Sequence, residues 1–410
     1  MGNYKTFNLR ALLDRYGYAA IPFGFALIFL VSGVYEIPFL PIDAALVAKA
    51  KKILFVCLMV LMGYSLRWRE AIKGPFSLFC GLWALLHVGH WAYRAEYSDV
   101  YLQRLVQIAF IWILVNVVIQ QKSDNERFLG LQSYFSPLLF PVACLLLALL
   151  AFHPVIAEAI SNGLGNGRVS FSIWLAQLIF LTLLISHSKQ GWPVLRAFTL
   201  ATPILVLQVF TGGRTGLLAS LAIWLYFSFR EGGVRLLVMS GLYLSFLIRF
   251  SAAISPLPDV YPGTSIFRVI DLQFDDGVFA WLDRLSSYRL GIMASALSSL
   301  DMGTISFGQG VMNFKGWAIG YPWDVHNIYV RALGEIGIVG LAVLLALLAL
   351  PFRGSAREVD VVAAQVYCGV FLMIGMIHPE LLTTAISTCM IFWLCYAEAL
   401  RYQRNQNGLI

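Results

Sequence analysis

Apolar residues run along this chain in blocks of about twenty, the length at which a helix crosses a bilayer, with short polar segments between them. The pattern predicts helices over 18–37, 46–66, 75–93, 101–120, 133–152, 169–187, 193–211, 214–230, 235–254, 326–350, 359–377 and 380–400. Between the ninth and tenth blocks the pattern lapses. The stretch 255–325 is polar, carries Pro256, Pro258, Pro262 and Pro322, and predicts helix only near 280–300. A loop of this length in a compact protein is usually functional. The expected architecture is an all-α integral membrane protein of about 12 transmembrane helices, with 1–410 forming a single polytopic domain that includes the large loop 255–325.

Composition supports that class. Apolar residues are 59% of the chain and charged residues 12%, whereas soluble domains carry about a quarter charged residues. The net charge of +7 could suggest nucleic acid. The basic residues, however, flank apolar blocks in ones and twos, as cytoplasmic anchors do. With both termini inside, every inner segment holds at least two Lys or Arg, such as Arg67, Arg69 and Lys73, or Arg353 and Arg357. That topology puts 255–325 outside the cytoplasm. Lys5, Arg10 and Arg15 precede an apolar run that continues to Pro38, so it is expected to be a retained first helix rather than a cleaved leader. Cys57, Cys80, Cys144, Cys368, Cys389 and Cys395 all lie in apolar blocks without a C-x-x-C pair and read as small core residues.

Four arginines contradict the charge rule by falling near outer span ends: Arg168, Arg214, Arg289 and Arg331. An arginine in lipid costs about 2.5–3.5 kcal/mol, and its planar fork suits paired phosphate oxygens. Such a cluster points to an anion, and in a membrane protein to a lipid phosphate; snorkelling anchors or ion pairs are the alternative. Arg214 stands in Thr211-Gly212-Gly213-Arg214-Thr215-Gly216, a glycine turn that opens a helix. Backbone N–H groups, the arginine and two threonine hydroxyls together suit phosphate, although a tight interhelical turn would also use Gly-Gly.

A second group opens the tenth block, His326-Asn327 followed by Gly337-Ile338-Val339-Gly340. At about 100° per residue, Gly337 falls about 20° from His326 and Gly340 about 40° to the other side, a stripe on which another helix could pack closely. Arg331 and Glu335, four apart, are expected to pair. His326 at the helix mouth can accept a proton near neutral pH. His87 and His90 lack a third ligand, so no metal is expected. No nucleotide-binding glycine motif occurs in a fitting context, so neither nucleotide nor nucleic acid is an expected partner.

These elements resemble the O-antigen ligase and O-antigen polymerase superfamily. The resemblance rests on Thr-Gly-Gly-Arg-Thr-Gly at 211–216, on Ser287-Tyr288-Arg289-Leu290 followed by Phe307-Gly308-Gln309-Gly310, and on the H-N-x9-G-x-x-G run from His326 to Gly340. It covers about 165–345. The last element is nearest to ligases, whereas Gly-Arg-Thr-Gly is shared more widely. The resemblance implies a GT-C-like fold in the bacterial inner membrane and a periplasmic active site. It also implies metal-independent, inverting transfer without a cofactor in lipopolysaccharide biosynthesis. The donor would be a glycan on undecaprenyl diphosphate and the acceptor lipid A–core, or another lipid-linked glycan in a polymerase. His326, Arg214 and Arg289 would be catalytic. Arg168 (in Gly167-Arg168-Val169-Ser170), Thr211, Gly213, Thr215 and Asn327 would bind substrate. A transporter is the competing class, since twelve spans with both termini inside also suit one. The two halves show no similarity and few charges lie deep in the spans, which disfavours it.

Overall fold

The computed structural model of the chain describes residues 44–94, 98–120, 168–188, 194–211, 213–254, 277–285, 288–310, 325–354, 359–375 and 386–406. The helices expected at 18–37 and 133–152 lie outside them. Among the described residues every regular element is helical. In chain order these are α1 (Ala44–Ser65), α2 (Trp68–Ala71), α3 (Pro75–Arg94), α4 (Ser98–Gln120), α5 (Arg168–Ser188), α6 (Val194–Phe210) and α7 (Arg214–Ile254). Then follow α8 (Val278–Leu285), α9 (Arg289–Ser298), α10 (Met302–Phe307), α11 (Ile328–Ala349), α12 (Val359–Gly375) and α13 (Ile386–Gln406). Each expected span on the described residues coincides with helix, the last one displaced toward the C-terminus. Two stretches, Asp99–Gln120 and Ile328–Phe352, are long and apolar enough to cross a membrane.

The starts and breaks of these helices follow local chemistry. Pro75 opens α3 at a position whose N–H would have no helical partner. Gly233, at φ 58°, divides α7 into two helices. They fold back on one another, since Ser228 and Ser240 meet hydroxyl to hydroxyl at 2.7 Å, far closer than twelve residues of straight helix allow. Core formation centres on α5, buried without interruption from Phe171 to Leu184. It packs against α6, α7, α12 and α13. Aromatic side chains, including Phe180 tilted against Tyr367 at 4.1 Å between ring centroids, fill the seam with α12.

The helix near 280–300 is in fact two, α8 and α9, and the chain beyond them does not stay on the surface. Asp301 caps α10 by accepting from the Thr304 N–H at 2.6 Å, a bond that holds its carboxyl below the usual carboxylate range. The next residues then enter a break in α11. At Gly337 (φ 77°, ψ −173°) α11 leaves helical geometry. Gln309 N–H donates to Gly334 O at 2.8 Å, and Gly310 N–H to Glu335 O at 2.9 Å. The interrupted carbonyls thereby regain partners, as backbone removed from water must. A Cβ on Gly337 would lie 2.5 Å from Ser306 O, and one on Gly308 (φ 74°) 2.5 Å from Glu335 backbone.

This corrects the role given to the glycine stripe. Gly337 receives the 306–310 strand of chain at a break in the helix, and a Cβ on Gly340 would meet Ile336 of its own helix rather than a neighbour. Gly337→Ala is expected to destabilise the protein by about 2–5 kcal/mol, from a Gly-only backbone conformation plus overpacking. Denaturant unfolding in detergent measures this; a loss below about 1 kcal/mol would show that the break relaxes freely.

Candidate active site

Three helices begin on an arginine: α5 on Arg168, α7 on Arg214 and α9 on Arg289. A chain of specific contacts brings these helices together with the His326 turn. Between α5 and α7 the contact is nearly backbone to backbone. Ser172, one turn into α5, donates its hydroxyl to Gly213 O at 2.5 Å. Gln208 Nε2 donates to the Ser172 carbonyl at 2.9 Å and to its Oγ at 2.6 Å. A Cβ on Gly216 would lie 2.2 Å from Ser172 O. The last glycine of the Gly-Arg-Thr-Gly motif therefore lets α7 start against α5. Neither Ser172 nor Gln208 carries a motif signature; the only sequence sign of this seam is the small residues at 170, 172, 213 and 216.

Between α7 and α9 the link is Arg289, whose Nη1 donates to Thr215 Oγ1 at 3.4 Å. Two motifs 74 residues apart thus meet at one point. Tyr288, just before Arg289, sits at φ 63°, a conformation rare for a bulky side chain. Asp283 holds it there: the Asp283 carbonyl accepts from Tyr288 N–H at 2.7 Å, and its carboxylate accepts from Gly291 N–H at 2.7 Å. Strain of this kind collects at functional positions. Here it sets the direction in which α9 leaves and therefore the position of Arg289.

Between α9 and α11 the link is Asn327. Its Oδ1 accepts from Tyr329 N–H at 2.9 Å and Val330 N–H at 3.0 Å, the side-chain cap of α11. Its Nδ2 donates to Met293 Sδ at 3.1 Å. Met293 is one turn from Arg289 on the same face of α9, where side chains four apart are about 5–6 Å apart. Around this junction Ala296, Val325 and Val330 form a small apolar cluster. His326 lies half-buried between the buried Val325 and Asn327, with Nδ1 shielded from solvent.

The expected site residues fall into two groups. Thr215 and Arg289 touch directly, Arg214 and His326 are the chain neighbours of Thr215 and Asn327, which make the contacts above, and the Arg168 backbone lies one turn from the Ser172–Gly213 bond. Thr211 and Asn327, expected to bind substrate, make contacts within the protein. Thr211 is fully buried and donates to Gln208 O at 2.9 Å, while both ends of the Asn327 amide are engaged within the protein. Gly213 supplies its carbonyl to Ser172 and to Leu217 N–H at 3.2 Å. Arg331 and Glu335 pair as expected, at 2.8 Å and almost fully buried. Among the described residues no three His, Cys, Asp or Glu side chains converge where a metal could sit.

Three helix starts that each carry an arginine are thus linked, through α9, with the turn that carries His326. Helix starts carry partial positive charge, so an arginine there is stabilised when an anion joins it. Comparison with known proteins adds nothing to this geometry: no protein-family model and no curated protein matches the chain.

Proposed function

We propose that this chain is a multi-pass membrane glycosyltransferase of the O-antigen ligase type. In this reading it transfers a glycan from undecaprenyl diphosphate to a hydroxyl of lipid A–core at the periplasmic face of the bacterial inner membrane. The observation that carries the reading is the meeting of Arg289 with Thr215, which joins two helix starts that each bear an arginine. A diphosphate complements both the helix ends and the guanidinium forks. The membrane part of the reading draws on the two long apolar helices and on the outward display of Leu46, Ile53, Val56 and Val60 on α1 and Leu78 and Leu85 on α3. Exposed apolar surface of that extent marks contact with lipid or protein.

In the proposed reaction Arg214 and Arg289 hold the diphosphate, with Arg168 as a further cation. His326 takes the proton from the acceptor hydroxyl. The acceptor oxygen bonds to donor C1 as the C1–O bond to the diphosphate breaks on the opposite face, so C1 inverts. The bonding pair leaves on undecaprenyl diphosphate, and the guanidiniums stabilise the charge that grows there. Thr215 orients Arg289, and Asn327 fastens the His326 turn to α9. The donor arrives already activated, so the scheme calls for neither nucleotide nor cofactor.

The test is incubation of the purified full-length protein with undecaprenyl-diphosphate-linked glycan and lipid A–core. Glycan on the core, with release of undecaprenyl diphosphate, is the expected result. Glycan lengthened on the carrier lipid would make the protein a polymerase using the same donor. An intact donor that instead crosses the bilayer of reconstituted vesicles would overturn the enzyme reading in favour of transport.

A further inference from the structure

The end of α3 away from the His326 turn carries a feature that the proposed transfer does not use. His87 lines a small cavity with Arg331 and Glu335, so that part of α3 lies beside the first half of α11. Pro75, where α3 starts, is twelve residues away, about 18 Å along the helix. Here an open groove of about 490 Å³ lies between α3 and α4, with Ile72 at one end and Leu85 at the other. Leu78 and Leu82 line it from α3, Leu105 and Ile108 from α4. Gly81 lines it too, and a Cβ there would meet nothing within 4 Å. The hydroxyl and the indole N–H in the lining are engaged within the protein. Ser77 donates to Ala71 O and accepts from Trp112 Nε1 at 2.7 Å. The groove therefore suits hydrocarbon.

The Ile72 end is cationic. Ile72 N–H donates to Trp68 O at 3.2 Å and Lys73 N–H to Glu70 O at 3.4 Å, so the winding of α2 continues to Lys73. Arg69, Ile72 and Lys73, spaced i, i+3 and i+4, share one face of that turn. Both cations beside Ile72 are exposed and make no ion pair among the described residues. Glu70, the carboxylate of the same turn, is engaged by Arg67 at 2.8 Å and by Arg404 at 3.5 Å. Trp68 is half exposed and lies 5.5 Å from Trp112 between ring centroids. Indoles in such positions settle at the level of lipid headgroups. Cations and indoles at one end, hydrocarbon surface along the rest: that order matches a phospholipid with a negatively charged headgroup.

We propose that the groove between α3 and α4 binds one anionic phospholipid, an acyl chain lying along Leu78, Leu82 and Leu85 and the phosphate between Arg69 and Lys73. The proposal takes from the proposed function only that the protein lies in a bilayer. It needs neither Arg214, Arg289 nor His326.

Native mass spectrometry of the delipidated full-length protein in detergent, titrated with phosphatidylglycerol or with phosphatidylcholine of the same chains, tests this. One phosphatidylglycerol should bind about thirtyfold more tightly, about fivefold for each cation. Arg69→Gln combined with Lys73→Gln should remove that preference while both lipids still bind. Gly81→Phe, which adds bulk to open space, should remove the one-to-one adduct and leave the unfolding midpoint unchanged. Glycerol phosphate, which lacks the chains, should not compete. Equal affinities for the two lipids, a preference that survives the double substitution, or competition by glycerol phosphate would overturn the proposal. So would lipid binding undiminished in Gly81→Phe, or a protein that takes up no lipid because its own chain or a second copy fills the groove. If Gly81→Phe does not fold, the double substitution decides, since it changes only exposed side chains. These readouts are lipid affinities. An inactive protein that prefers phosphatidylglycerol keeps the site, and an active one without the preference loses it.

Discussion

Arg289→Ala is expected to lower glycan transfer by about 10²–10³-fold, the loss typical when one preorganised donor to a developing negative charge is removed. The protein should remain folded in the membrane. Arg289 is only partly buried, and its contact with Thr215 is long at 3.4 Å, so its contribution to stability is about 1 kcal/mol or less. Arg289→Lys should restore little, because a point charge cannot reproduce the two-pronged contact with a diphosphate. Thr215→Val supplies an internal control. It removes the hydroxyl that orients Arg289 and keeps the guanidinium, so its loss should be much smaller than that of the alanine variant. Transfer kinetics with purified protein measure all three. Full activity in the lysine variant would mean that only the sign of the charge matters. Full activity in the alanine variant would remove Arg289 from the site and with it the contact on which the proposed function rests.

His326→Ala should lose about 10²–10⁴-fold in transfer, the usual range for a general base, while binding of the donor survives because the diphosphate is held by Arg214 and Arg289. The sign of the pH dependence follows from the role. A base must be neutral to accept a proton, so activity should fall on acidification as the imidazole becomes charged, and the alanine variant should lose that acidic limb. His326→Gln separates the base from a bland alternative in which the side chain only makes a hydrogen bond at the mouth of α11. Donor binding with near-normal transfer in the glutamine variant would withdraw the base assignment and leave the arginine site standing. Asn327→Ala is a useful companion, because loss of its cap costs about 1 kcal/mol of stability. It also loosens the Met293 link, so it should alter stability and transfer together, whereas His326→Ala should alter transfer alone.

The sequence by itself determined where the helices run. An apolar block of about twenty residues closes its own backbone hydrogen bonds, so its position is a local property, and helix occurs wherever such a block coincides with the described residues. It also singled out Arg214, Arg289 and His326 as candidates, because arginines at the expected outer span ends run against the charge rule and a glycine turn beside an arginine suits an anion. It paired Arg331 with Glu335, whose spacing on one helix decides the matter.

What only the tertiary structure decided depends on residues far apart in the chain. No spacing rule relates Thr215 to Arg289, or Met293 to Asn327; those contacts exist because α9 lies across the starts of α7 and α11. The Gly337–Gly340 pair is compatible with both a smooth packing stripe and a break, since helical periodicity carries no information on a positive φ. The arrival of Gln309 and Gly310 at the freed carbonyls is what selects the break. Thr211 bonds locally to the carbonyl three residues before it, but Asn327 reaches Met293 only because α9 packs beside the start of α11. The setting of His87 is equally non-local, since α3, α4 and α11 each contribute residues to the cavity that it lines with Arg104, Arg331 and Glu335.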